Sequence, residues 1–275
     1  MRFLRRFVWV TIGVLMLTGL SAVSIASSHK LVLTGSSTIA PLAVELGRRF
    51  ESLHPGMRVD VQTGGSARGI NDTRKGIADI GMVSRAMKAD EQDLQAVTIA
   101  LDGIGIIVHA SNPVAALTRQ QIADIFTGKI TNWHEVGGKD ARITVVNKAE
   151  GRSTLELFLA YFQLKNSEIR PHIVIGDNQQ GIKTVSGNPH AIGYVSIGAA
   201  EYDAQRGVPL KLLPLDSVAA SVVNLRNGDY PLSRPLNLVT RMTPTALAKR
   251  FIDFARSEQA YDLVEMQYFI PVSVD

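Results

Sequence analysis

The chain has 275 residues, with 29 Lys and Arg against 25 Asp and Glu, six His and no Cys. The lack of cysteine excludes a disulfide framework, a cysteine nucleophile and a lipid attached to an N-terminal cysteine. The net charge of +4 depends on three arginines near the N-terminus, without which the balance is 26 to 25. Because no basic stripe of the kind found in nucleic-acid-binding proteins remains, we expect no nucleic-acid partner.

Residues 1–26 have the features of a secretory signal peptide. Three arginines precede an uncharged apolar run, Phe7–Leu20, and Ser24-Ile25-Ala26 then gives the small-x-small pattern of a cleavage site. The apolar run is shorter than the ~20 residues that a membrane-spanning helix needs, which makes an uncleaved anchor the weaker alternative. We expect cleavage near Ala26 and an unlipidated mature chain in the periplasm of a bacterium with two membranes.

The rest of the chain alternates strand-like and helix-like segments, which is typical of an α/β protein. The predicted strands cover residues 30–34, 58–62, 78–83, 104–108, 142–147, 191–195 and 234–240. The predicted helices cover residues 41–53, a short stretch ending at 75, 118–126, 152–164, 243–256 and 258–268. Pro235 indicates that the last strand either lies at a sheet edge or begins there.

Three strand-to-helix junctions combine glycine with small hydroxyl residues, at Gly35–Thr38, Gly64–Ser66 and Gly151–Thr154. The first turn of a helix has backbone N–H groups without intrahelical partners and lies at the positive end of the helix dipole, so it attracts anions. Ordinary N-capping by Ser and Thr is the alternative for each junction. The three junctions meet only if their strands end at the same edge, where ligands of open α/β sheets bind.

Cationic side chains near these junctions would complete an anion site. Arg85 follows the third predicted strand directly after Ser84, and Lys148 and Arg152 flank the third junction. We favour Arg85 and Arg152 as ligands because a guanidinium group matches an oxyanion bidentately. The alternative for each is a solvated surface charge.

Seven motifs carry a resemblance to a known family. They are Thr34-Gly-Ser-Ser-Thr38, Gly64-Gly-Ser66, Ala78-Asp-Ile-Gly-Met-Val-Ser-Arg85, Ile125-Phe-Thr-Gly-Lys-Ile-Thr-Asn-Trp133, Glu150-Gly-Arg-Ser-Thr154, Ala191-Ile-Gly-Tyr-Val195 and Asn227-Gly-Asp-Tyr-Pro-Leu-Ser-Arg-Pro235. In this order and spacing the chain resembles the phosphate-binding proteins of bacterial ABC transporters over nearly its whole mature length.

The resemblance implies a periplasmic-binding-protein fold of type II, with two α/β lobes joined by two crossing strands. Lobe one would comprise residues 27–105 and 237–275, lobe two residues 106–236, and the crossings 104–109 and 236–240. Phosphate would lie between the lobes. By matching motifs, its ligands would be Ser37, Thr38, the Ile39 backbone, Ser66, Ser84, Arg85, Arg152, Ser153 and Thr154, with Ser36, Lys148, Asp79 and Glu150 as further candidates.

Two departures from the family pattern leave the anion open. Lys148 stands near the place of an arginine of many relatives, and Arg85 follows Ser84 where some relatives have an aspartate. A carboxylate that accepts the proton of hydrogen phosphate would reject sulfate, and Asp79 and Glu150 are the candidates, although Asp79 can equally brace a turn. The alternatives are therefore a binder of molybdate, tungstate or sulfate, and a phosphate sensor in signalling.

An enzyme is the remaining alternative, and the sequence disfavours it. The six histidines are scattered without metal-ligand spacing, and Gly128-Lys129-Ile130 lacks the Ser or Thr that follows the lysine of a P-loop. We expect no catalysis, no cofactor and no metal. The expected partners are phosphate or a similar oxyanion and an ABC permease in the inner membrane, served by a monomer.

Overall fold

The computed structural model describes residues 29–272, so the predicted signal peptide lies outside the described residues. The strands are β1 (His29–Gly35), β2 (Met57–Thr63), β3 (Ile80–Val83), β4 (Leu94–His109), β5 (Thr144–Lys148), β6 (Ile173–Ile175), β7 (Ala191–Ser196), β8 (Leu210–Leu213), β9 (Ser233–Arg241) and β10 (Ile270–Pro271). The helices are α1 (Ala40–Leu53), α2 (Ser66–Arg74), α3 (Arg119–Phe126), α4 (Ser153–Phe162), α5 (Asn178–Ser186), α6 (Ile197–Ala204), α7 (Val222–Arg226), α8 (Ala246–Arg256) and α9 (Tyr261–Met266). Between positions 29 and 272, no helix has the length and apolar character needed to cross a membrane.

The strands pair in the order β2-β1-β3-β9-β4-β7-β5-β6, with β8 and β10 added to β4. Strands β1, β2 and β3 are parallel, as are β5, β6 and β7, whereas β9 and β4 run antiparallel to their neighbours. The first part of β4 pairs with β9, and its last part, Ile104–His109, pairs with β7 and β8. Strand β4 therefore connects two units of α/β structure, each of which contains three parallel strands. The order of strands and helices along the chain confirms the α/β prediction.

Each unit has its own apolar core. In the first, α1 and α8 pack together through Phe50 and Phe251, whose ring centroids are 5.3 Å apart. In the second, Phe158 of α4 stacks on Tyr194 of β7 at 4.0 Å. These aromatic contacts belong to separate clusters, so each unit buries apolar surface independently of the other.

Strands β4 and β9 differ from the sequence-based expectation. The predicted strand begins at residue 104, whereas β4 begins at Leu94 and runs for 16 residues through Asp102, which pairs in register with Arg234 of β9. The edge position suggested by Pro235 is wrong, since β9 lies between β3 and β4. Pro235 lies near the start of β9, which agrees with the other reading of this residue.

Candidate anion-binding site

Four serine hydroxyls form a buried cluster where the two units meet. Ser36 Oγ donates to Ser84 Oγ at 2.8 Å, and Ser66 Oγ donates to Ser153 Oγ at 3.0 Å. The Ser84 and Ser153 hydroxyls share a hydrogen bond of 2.6 Å, which joins the two pairs. Ser36, Ser66 and Ser84 lie in the first unit and Ser153 begins α4 of the second. The cluster therefore spans the cleft between the two units.

A guanidinium group lies beside these hydroxyls. Arg234 of β9 is 2% exposed, and its Nε and Nη2 donate to Asp102 Oδ2 at 3.1 and 2.8 Å. Its remaining hydrogen-bonding capacity faces the cleft, where Nη1 donates to Thr154 Oγ1 at 3.0 Å and Nη2 to Thr38 Oγ1 at 3.1 Å. The second Asp102 oxygen accepts from Gly198 N at 3.2 Å. Asp102 therefore holds a cation in place at the hydroxyl cluster.

A lysine and an amide extend this polar region. Asn178 Nδ2 donates to Thr38 Oγ1 at 3.1 Å, and its Oδ1 accepts from Lys148 Nζ at 2.9 Å. Lys148 is 3% exposed. Burial, followed by the neighbouring Arg234 charge, lowers the pKa of Lys148 from 10.5 to about 7. The ammonium form is thus poorly stabilised by the protein alone, and a nearby anion would favour it.

Helices α1, α2 and α4 begin at this cluster without a side-chain cap. Within residues 29–272, their N-cap positions are Ile39, Gly65 and Arg152, and none of them makes a capping hydrogen bond through its side chain. In contrast, Thr118 caps α3 and Thr245 caps α8. The first turns of α1, α2 and α4 consequently bring positive dipole ends to one place, with N–H donors besides Ala40 N and Ala67 N, which already donate to Ser36 O and Gly151 O.

Glycines let the loops of this region approach closely. Gly35 has a φ of 129°, and a Cβ there would lie 2.4 Å from Met82 O. Gly65 has a φ of 90°, and a Cβ there would lie 2.5 Å from Gly151 O in the other unit. The small distance allows Ala67 N to donate to Gly151 O across the cleft at 3.2 Å. A side chain at either glycine would push the junctions apart.

Arg85 lies outside the cluster, although it follows Ser84. Its Nη1 and Nη2 each donate to Glu91 at 2.7 Å, and its Nε lies 3.1 Å from Glu156 Oε2. Burial lowers the pKa of Arg85, but the hydrogen bonds and charges of the two glutamates outweigh it and raise the pKa overall. These carboxylates occupy the guanidinium group, so the geometry assigns the cluster's cation to Arg234 instead.

Neither candidate proton acceptor faces the cluster. Asp79 Oδ2 accepts from Val32 N at 2.9 Å, which braces β1 against the start of β3. Glu150 is exposed and accepts from Asn166 Nδ2 at 2.7 Å. The bracing alternative raised for Asp79 is therefore the one that the contacts favour.

The other predicted residues lie at the edge of the site. Ser37 is half-buried and lines a groove of about 270 Å³ that continues from Thr38 between the two units. Ile39 has its side chain in the first core, and its carbonyl accepts from Ala43 N at 2.9 Å. Arg152 packs against Gly65, and its buried Nε finds no hydrogen-bond partner among residues 29–272.

Comparison with known proteins identifies the family. A family model described as "PBP superfamily domain" matches residues 22–259. The phosphate-binding protein PstS of Bacillus subtilis is 30% identical over 252 residues, which cover 90% of this chain and 82% of that protein. The chain belongs to the PstS family of phosphate-binding proteins. PstS of Borreliella burgdorferi is 28% identical over 248 residues, covering 86% of this chain and 88% of that protein.

Solved structures of PstS-like proteins have the same fold. A Clostridium perfringens structure, described as a phosphate ABC transporter substrate-binding protein with bound phosphate, matches with a TM-score of 0.82 and 34% identity. The match covers 89% of this chain and all of that one. A phosphate transport receptor of the ABC type from Vibrio cholerae has a TM-score of 0.69 and 31% identity over 88% of this chain and all of that one. The predicted two-lobed periplasmic-binding-protein fold is thereby confirmed.

Three residues of the site were not predicted from the sequence: Arg234, Asp102 and Asn178. Arg234 lies in a family-like motif, but it reads as the polar start of an apolar strand. Asp102 reads as a break between two apolar runs. The available signal was that two opposite charges stand two residues before the two segments expected to cross between the lobes, where an unpaired buried charge would be costly.

Proposed function

We propose that this chain captures phosphate between its two lobes and presents it to an ABC permease. One observation carries the proposal: helices from both lobes point uncapped N-termini at one buried hydroxyl cluster, and Arg234 lies beside that cluster. Such an arrangement offers many donors and a net positive field, which fits a small tetrahedral oxyanion. The PstS relatives supply phosphate as the particular anion.

Each group of the cluster has a role in this proposal. Phosphate oxygens accept hydrogen bonds from the serine and threonine hydroxyls and from those first-turn N–H groups that do not already donate to Ser36 O or Gly151 O. Arg234 donates to them while Asp102 fixes its orientation, and the unpartnered Arg152 Nε provides a further donor. Since both oxygens of Asp102 are already engaged, we propose that a hydroxyl oxygen of the cluster accepts the hydrogen bond that the P–OH group of hydrogen phosphate donates.

The mechanism is closure of the lobes on the ligand. Phosphate first contacts the lobe that carries Ser36, Ser66 and Ser84, and α4 of the other lobe then adds Ser153 and Thr154. Micromolar affinity corresponds to about 8 kcal/mol. Several hydrogen bonds to a charged ligand, each worth about 1.5–3 kcal/mol net, are sufficient for this value.

We also propose that the chain is exported by its N-terminal segment and acts in the periplasm as an unlipidated monomer. The lobe boundaries belong to this proposal, with residues 27–105 and 237–275 in one lobe and 106–236 in the other. Phosphate should be bound and released without chemical change, so incubation with phosphate monoesters should yield no sustained hydrolysis.

Calorimetric titration of the ligand-stripped mature protein with phosphate tests the proposal, with sulfate and molybdate in parallel. We expect one saturable phosphate site per chain. Tight binding of sulfate or molybdate alone would retain the site and reassign the anion. If none of the three binds, the oxyanion hypothesis fails and a signalling role becomes the better account.

A further inference from the structure

A charged contact outside the hydroxyl cluster links the two lobes. Glu156 of α4 has its Oε2 2.7 Å from Lys88 Nζ and 3.1 Å from Arg85 Nε. Arg85 and Lys88 follow β3 in the first lobe, whereas α4 follows β5 in the second. We propose that Glu156 is a positioning residue for phosphate capture, which fastens α4 to the first lobe without touching the ligand. The inference rests on the proposed function.

The first lobe assembles the cationic half of this contact by itself. Glu91 accepts two hydrogen bonds of 2.7 Å from Arg85, and its Oε2 also accepts from Lys88 N at 2.9 Å. The short turn Ala89–Glu91 thus fixes the guanidinium group of Arg85, a residue that is only 4% exposed, and the backbone of Lys88. Because Arg85 is already held by Glu91, little conformational entropy of Arg85 is lost when Glu156 binds.

The position of Glu156 connects the contact to the anion site. It lies three residues after Ser153, in the first turn of the helix that supplies Ser153 and Thr154 to the cluster. Holding Glu156 against Arg85 and Lys88 therefore holds the donors of α4 at their working distance. Because these contacts join the lobes, they favour the closed arrangement over an open one and raise phosphate affinity by that difference.

Glu156→Gln isolates this effect. The substitution keeps the side-chain shape and removes the charge, while Arg85 retains its bidentate partner Glu91 and is not left as an unpaired buried cation. We expect the Kd for phosphate to rise about 5- to 10-fold at low ionic strength, the range of weak coupling energies. The melting temperature without phosphate should change little.

Salt and a second variant distinguish the ionic contact from a general structural role. The ratio of the Kd of Glu156→Gln to that of the wild type should fall as KCl is raised, since screening weakens the contact in the wild type. Lys88→Met, at a half-exposed position, should raise the Kd in the same direction but less. The effects of the two substitutions should not multiply, because both remove the same contact. Adding Lys88→Met to Glu156→Gln should raise the Kd by a smaller factor than Lys88→Met does in the wild type.

Asp253→Asn is the control, because Asp253 pairs with Lys249 of its own helix and not across the lobes. It should leave the Kd unchanged. A wild type that does not bind phosphate would overturn the proposed function itself. A wild type that binds, with Kd values unaffected by Glu156→Gln and Lys88→Met, would overturn the role of Glu156 alone, as would an equal effect in Asp253→Asn.

Discussion

Two sets of helices in this molecule begin with similar residues but use them differently. The helices α3, α7 and α8 are each closed by a hydroxyl that accepts from a backbone N–H of its own first turn, from Thr118, Ser221 and Thr245. At α2 and α4, the hydroxyls of Ser66 and Ser153 bond to each other across the cleft. The same residue type thus closes a helix in one place and leaves it open to a ligand in the other.

The difference has an energetic meaning. A side-chain N-cap stabilises a helix by about 1 kcal/mol. The site helices forgo this contribution and retain N–H donors that can stabilise a bound anion instead. We therefore expect substitutions at the site helices to change affinity more than stability, and substitutions at the capped helices to do the reverse.

Arg234→Met should have the largest effect, because it removes the cation of the site and leaves Asp102 buried without its partner. Phosphate affinity should fall more than ~100-fold, and the free energy of unfolding should drop by roughly 3–5 kcal/mol. Adding Asp102→Asn should restore much of the stability without restoring binding. Recovery of both in the double variant, measured by calorimetry and urea unfolding, would remove Arg234 from the site.

Lys148 should make the stability of the fold depend on pH. Since burial lowers the pKa of Lys148 from 10.5 to about 7, the unfolded chain binds a proton between these values that the native chain does not. The free energy of unfolding of the wild type, measured relative to Lys148→Met, should therefore rise by a few kcal/mol, roughly 3–5, as the pH increases from 7 to 10.5. Urea unfolding across this range measures the difference. A flat difference would show that Lys148 stays protonated.

Ser66→Ala tests the open helices. Loss of one hydroxyl that serves a charged ligand should weaken phosphate binding by about 10- to 100-fold. Stability should change less, because Ser66 does not cap α2. Parallel titration and thermal unfolding give both quantities, and a variant with normal affinity but reduced stability would place Ser66 among ordinary structural serines.

Thr245→Ala is the matched change at a capped helix and should have the smallest effect. Removing the Thr245 cap of α8 should lower the free energy of unfolding by about 1 kcal/mol and leave the Kd for phosphate unchanged. The same two assays apply. An affinity loss as large as that of Ser66→Ala would erase the distinction between the two sets of helices.

The sequence signals that point to the candidate site are local. Glycine and hydroxyl residues stand within a few positions of each helix start, so the three junctions could be located without knowing how the chain folds. That Arg234, and not Arg85, lies beside the hydroxyl cluster could not be predicted in this way. Arg234 lies 132 residues from Asp102, and Glu156 is brought to Arg85 only by the meeting of the lobes.

An NMR titration with phosphate tests the contrast between open and capped helices most directly. Phosphate should shift the backbone amide signals in the first turns of α1, α2 and α4, while those of α3 and α8 remain in place. Shifts confined to other parts of the chain, or equal shifts at the capped and the open helices, would contradict the account.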